Sequence, residues 1–435
     1  MDNQSISKLE DNLEQTLAKG NKEQIIDAYI QLGQAYMNSG DTPKGLTQIE
    51  EALKTNRQIN DPEIEARLMG LKGIALKQIG NYKQALQAFR KSLKIAEEIE
   101  NTVLQSDALL QIGSLLAEQG KNLEAIAKLD NALIFSIQNN DNPRKLFVAN
   151  LLGNIFLSIE SCEKAVENYA LALETARVLG NKNAQAASLV HIGQTFLQDG
   201  GYDGAIEHFE MALNLSDESE NVLIEIQALQ GLMRAYQQQK KTSLAVVYGE
   251  QVLNRVKGIQ DLYMELKILQ DLYELFADDE RYEKTIPYLD RCVEIAAEIN
   301  DLEVKMDAMQ KLGIIYYYLE NYQLALDNLH NALDIAIKFQ NKHEEALILG
   351  KLSALKADQG EIERSNEIAA KAISLAQELE LERLKGEQLV ILALNNFELG
   401  NRKQAVEDCQ AAIDVFMDLG AFDLVKQAKE YLERF

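Results

Sequence analysis

Tryptophan is absent from this 435-residue chain, proline occurs four times, cysteine three times and histidine four times. The shortage of proline leaves long stretches free to be helical, since proline removes a backbone donor and breaks helix interiors. Cys162, Cys292 and Cys409 are odd in number and more than a hundred residues apart, which excludes a disulfide framework or a zinc knuckle and is consistent with a reducing cytoplasm. His191, His208, His330 and His343 show no metal-ligand spacing, so no metal and no cofactor is expected. No run of eighteen apolar residues exists, which excludes a membrane-spanning helix, and the polar stretch Met1 to Glu10 lacks the apolar centre of a secretory signal. Positive charge is also in deficit. A net charge of −24 with no basic run argues against nucleic acid or an anionic membrane surface as partner.

What the chain has in abundance is periodicity. Gly33, Gly73, Gly113, Gly153, Gly193 and Gly313 fall on a strict 40-residue beat, with Met233, Tyr273, Ser353 and Ala393 in the same phase. Twelve residues later come Gly45, Ala85, Ala125, Ala165, Ala205, Ala245, Thr285, Ala325, Ser365 and Ala405. Ten copies without insertion predict one continuous stack, a single domain over residues 1–435, in which each unit packs on its neighbours.

Within a copy the apolar residues keep a helical rhythm. Leu109, Ile112, Leu115 and Leu116 form one face, Gly120-Lys121-Asn122 interrupts it, and Ala125, Ile126, Leu129, Ala132 and Leu133 form the next. Each copy therefore reads as a helical hairpin. Glycines such as Gly40, Gly80, Gly200 and Gly400 close the first helix, while Asn60-Asp61, Asn101, Asn140-Asp141 and Asn300-Asp301 end one hairpin and cap the next. The small residues admit bulky partners at close helix crossings, among them Phe89, Tyr169 and Phe209. Residues 5–19 read as half a unit, residues 21–420 as ten units, and 422–435 as a polar-faced capping helix, giving 22 helices and an all-α solenoid.

Leu32-Gly33, Leu152-Gly153 and Leu312-Gly313, the aromatics Tyr36, Phe156 and Tyr316, the turn Gly80-Asn81-Tyr82 and the series Ala85, Phe89, Ser92 together resemble the tetratricopeptide repeat. The 40-residue spacing resembles its long-helix branch, found in LGN-type polarity adaptors, kinesin light chains and bacterial Rap-type regulators. This resemblance covers essentially the whole chain and implies a right-handed superhelix whose first helices line a concave face. It also implies that residues six and three before the key glycine, and one and four after it, point inward. Those offsets name Asn150, Asn154, Gln194, Gln227, Gln230, Arg234, Lys267, Gln270, Glu274, Gln310 and Tyr317 as the candidate partner-binding groove. Toward the carboxyl end the same positions turn apolar, at Val390, Leu394 and Phe397.

Departures from the pattern cluster in the middle. Lys72 replaces an aliphatic residue, repeats six and seven lose the glycine and its turn at Lys240-Lys241 and Glu280-Arg281, and repeat seven carries Thr285 and Cys292 at its small positions. The leading expectation is a non-catalytic scaffold that binds a neutral or basic polypeptide segment. A peptide- or ligand-responsive regulator of the Rap-like kind is an alternative, although only about twenty residues precede the repeats. An interaction domain cut from a larger signalling protein is another, and an enzyme is the least supported reading.

Overall fold

The computed structural model of the chain describes residues 3–277 and 281–435, and Glu280 lies outside them. Among the described residues there are twenty-two α-helices and no strand: Asn3–Lys19, then ten consecutive pairs, then Phe422–Leu432. The chain divides into two units, Met1–Ala235 and Tyr236–Phe435. Within each unit, helices pack on their neighbours in sequence, and first helices of successive repeats also touch.

The turns explain the regularity. Among the described residues, one with positive φ closes a helix every twenty positions, from Gly20, Gly40 and Asn60 through to Gly400 and Gly420. At Gly80 the amide N–H donates to the Lys77 carbonyl at 2.9 Å, and the Asn81 N–H reaches back to Leu76 at 2.8 Å. That pair of bonds is a Schellman closure, which needs the left-handed residue between helix and exit. Asn81 then starts the next helix, its side chain accepting from the Gln84 N–H. One residue thus ends one helix and caps the following one. Asp61, Asn101, Asp141, Asn181, Asp301 and Asn341, between repeats, cap in the same way, and so does Asn321 inside repeat eight.

Side-chain packing sets how closely the paired helices approach. A Cβ placed on Gly73 would lie 2.4 Å from the Phe89 ring, on Gly153 2.5 Å from Tyr169, and on Gly113 or Gly313 2.6 Å from Leu129 or Leu329. Each bulky residue sits sixteen positions after its glycine, on the second helix of the same repeat. In repeat six, where Met233 stands in the glycine phase, Gly231 instead borders Phe209 of repeat five at 2.4 Å, a ring that Gly193 of its own repeat also meets at 2.8 Å. Cys292 and Cys409 are buried in this packing.

Repeat seven departs from the others for a visible reason. Pro287 has no N–H to give, so the segment Tyr282–Lys284 forms a 3-10 turn and the second helix starts late, at Ile286–Glu298. Thr285 is fully buried and its hydroxyl donates to the Tyr282 carbonyl at 2.6 Å. Across the hairpin, Arg291 donates to both oxygens of the buried Glu265 carboxylate, at 2.9 and 3.3 Å. The irregular Lys72 is likewise paired, with Glu50 at 2.7 Å.

Among the described residues, eleven of the left-handed ones are not glycine, Glu380 among them with φ 56. An L side chain there costs roughly 1–2 kcal/mol. Glu380→Gly should therefore raise stability by about 1 kcal/mol, read as a higher urea midpoint. Gly80→Ala should lower it by a similar amount, even though nothing lies within 4 Å of the added Cβ. Equal midpoints for both variants and the parent would contradict this account of the turns.

Candidate functional site

The structure leaves every residue of the expected groove at least partly open to solvent. Asn154, Gln194, Gln227, Arg234, Lys267 and Glu274 are exposed, and Asn150, Gln230, Gln270, Gln310 and Tyr317 are half-buried. All lie on first helices.

In the first unit two of these residues are tied together. The Tyr169 hydroxyl donates to Asn154 Oδ1 at 2.6 Å. Its ring is wholly buried and stacks on His191 with centroids 5.0 Å apart and planes 18° from parallel. Burial holds the His191 imidazole below its ordinary 6.5, opposed by a hydrogen bond with Gln194, and burial alone pushes the Tyr169 hydroxyl up to about 12. Asn154 of repeat four and Gln194 of repeat five are therefore two exposed amides linked underneath by the neutral stack of Tyr169 on His191. Beside it, Asn150 Oδ1 is buried and has no hydrogen-bond partner among the described residues. Arg234 makes no ion pair among them.

The second unit is arranged differently. Tyr317 donates its hydroxyl to the Asp358 carboxylate. Burial, then that carboxylate, raise its pKa well above the usual phenol range. Around it, Tyr318 stacks on Tyr282 at 5.6 Å and Tyr322 approaches Tyr317 at 6.3 Å. Lys311 bonds Asp307 at 2.9 Å and lies 4.9 Å over the Tyr273 ring. No hydrogen bond among the described residues joins Lys267, Gln270 or Glu274 to Tyr317.

Sequence reasoning treated Tyr169 as packing and gave His191 no ligand role, with His208 on the other helix of repeat five as the histidine it could approach. The stacking of Tyr169 on His191 is what links Asn154 to Gln194, and it depends on the sixteen-residue offset that places Tyr169 against the first helix. His208 stacks instead on Phe196 at 5.2 Å. A second omission is the amino-terminal end: the same inward offsets applied to repeats one to three name Gln34, Arg67, Gly70, Ile74 and Asp107, which line a cleft of about 270 Å³. Burial raises the Asp107 carboxyl, and Arg144 and then Arg67 act against it.

No group of three or more His, Cys, Asp or Glu able to hold a metal occurs among the described residues. Burial, followed by Asp199, raises the half-buried Cys162 thiol, and burial takes Cys292 to about 12. These thiols are poor nucleophiles near neutral pH. No helix of the described residues is long and apolar enough to cross a membrane.

The family model for the tetratricopeptide repeat matches residues 24–98, and that for anaphase-promoting complex subunit 5 matches residues 78–157 and 314–383. The regulatory protein RapG of Bacillus subtilis is 24% identical over 163 residues, 36% of this chain and 43% of RapG. Outer dynein arm-docking complex subunit 4 of Homo sapiens is 24% identical over 191 residues, 42% of this chain and 28% of that protein. The chain thus spans less than half the length of these curated relatives. Among solved structures, a signal-transduction ATPase with a tetratricopeptide-repeat sensor from Pyrococcus horikoshii aligns with 87% of this chain and 57% of its own, at 13% identity and a TM-score of 0.49.

A histidine whose folded pKa lies below its unfolded value binds its proton more readily once unfolded. His191 therefore costs stability as pH falls below 6.5, until the folded value is passed. The drop in urea midpoint between about pH 7.5 and about pH 5.5 should be smaller in His191→Gln than in the parent. Identical drops would contradict the buried, neutral imidazole.

Proposed function

We propose that this chain, built of tetratricopeptide repeats, is a non-catalytic scaffold that holds an extended polypeptide segment on the inner, concave face of its first helices. The observation that carries the proposal is the pair of exposed amides Asn154 and Gln194, held in place by the buried neutral stack of Tyr169 on His191. An extended backbone presents one donor and one acceptor at almost every residue, and side-chain amides offer both. Amides already held in place by stacking lose little side-chain freedom when they bind.

Charge adds selectivity. Arg234 in the first unit and Lys267 in the second are exposed cations on equivalent first-helix faces, suited to carboxylates of a bound segment. The net charge of −24 favours a segment that is neutral or basic overall and makes association weaken with added salt. The relatives, a regulatory protein and a docking-complex subunit, accord with a role exerted on other proteins. Three free cysteines fit a reducing cytoplasm.

The test is capture of polypeptide partners from native extract by the full chain, repeated with Arg234→Glu and with Lys267→Glu. At least one variant should lower affinity for the captured polypeptide by about tenfold or more while helicity is unchanged. Retention of nucleotides or nucleic acid alone, or affinity untouched by either substitution, would contradict the proposal.

A further inference from the structure

The cleft in the first unit lies between the first helices of repeats one, two and three, Lys22–Asn38, Pro62–Gln78 and Thr102–Glu118. Ile30, Ile74 and Leu104 give it an aliphatic floor, Arg67 and Asp107 line it with opposite charges, and Gly70 leaves one wall as bare helix backbone. At about 270 Å³ it is below the roughly 300–1,000 Å³ of clefts that take drug-sized molecules. A smaller ligand fits it.

Gly70 has no structural reason to be glycine. Gly73 makes room for Phe89, and Gly350, at the offset of Gly70 in repeat nine, makes room for Leu384, 2.8 Å from where its Cβ would be, whereas Gly258, in the last turn of its helix, has open space around it. A Cβ on Gly70 would meet only Ser92 Oγ at 3.7 Å, which is ordinary contact, and its φ is not in the left-handed region. Glycine weakens a helix interior relative to alanine, and its recurrent use is to let a ligand approach the backbone. Here it widens the cleft between the two charges.

Those charges select the ligand. Arg67 is exposed and makes no ion pair among the described residues. Asp107 Oδ1 is held by Arg144 at 2.6 Å. A carboxylate accepts several hydrogen bonds, so Asp107 retains capacity for another donor. A simple anion would be drawn to Arg67 and repelled by Asp107. A molecule bearing a carboxylate and an ammonium on one carbon satisfies both, with an aliphatic side chain against the floor.

We propose that this cleft binds a free α-amino acid with an aliphatic side chain, its carboxylate on Arg67, its ammonium on Asp107 and its side chain over Ile30, Ile74 and Leu104. The cleft lies on the first helices of repeats one to three, apart from the amides of repeats four and five on the same face, and would make the first unit responsive to amino-acid supply. Calorimetric titration of the full chain with L-leucine, L-isoleucine and L-valine tests it. At least one should bind saturably at millimolar concentration, with its amide and its N-acetyl derivative each weaker by about tenfold or more. Arg67→Gln, at an exposed position, should weaken binding by a similar factor, and Gly70→Leu should abolish it with the far-ultraviolet spectrum unchanged. The proposal is overturned if none of the three binds, if the blocked derivatives bind equally well, or if Arg67→Gln leaves affinity unchanged.

Discussion

Among the described residues, a left-handed residue every twenty positions, followed by one that completes the Schellman closure and caps the next helix, is the constraint on which the rest of the structure depends. With three residues at most junctions there is no slack in the chain. Most helices are therefore seventeen residues long, and a residue's place in the period determines which face it occupies. Were the turn inside one hairpin lengthened by a residue, continuing the helical phase would carry the bulky residue of its second helix about 100° away from the small position it packs on. Glutamate, lysine and glutamine occupy left-handed junctions at Glu100, Lys240 and Gln340. Their strain is offset by the two backbone bonds that each closure makes.

Packing follows from that phase, and it separates residues that serve the fold from residues left over. Gly73 and Gly153 are accounted for by Phe89 and Tyr169, and the alanines of the second helices by their complete burial. Repeat seven, deprived of small residues and delayed by Pro287, is held instead by the two-bond contact of Arg291 with the buried Glu265. Gly70 remains unexplained by packing. So do the amides of repeats four to six and the guanidiniums of Arg67 and Arg234, and these are where recognition is sought.

The hairpin architecture was legible because helix stops and small positions are local signals repeated ten times. Asn101, Asp141 and Asp301 each advertise a helix start in one residue, and the Asp301 carboxylate accepts from the Val304 N–H. Half helices at both ends were legible for the same reason. Other features depend on contacts that no single period displays. The link from Asn154 to Gln194 passes through a ring from the second helix of repeat four and a histidine of repeat five, so neither repeat alone reveals it. The 3-10 turn at Tyr282–Lys284 arises from Pro287 acting on residues before it. The amino-terminal cleft exists because a side chain is missing at Gly70, and an absent side chain leaves little trace in a hydrophobic pattern.

The central claim is that recognition of a polypeptide belongs to the first-helix face. Site-specific photocrosslinking measures this directly, with the crosslinker placed in turn at Gln227 and Lys267 on first helices and at Arg90 and Lys371, exposed positions of second helices. The account predicts crosslinks to bound polypeptide from the first-helix positions and none from the second-helix positions. Crosslinks confined to Arg90 and Lys371 would contradict it.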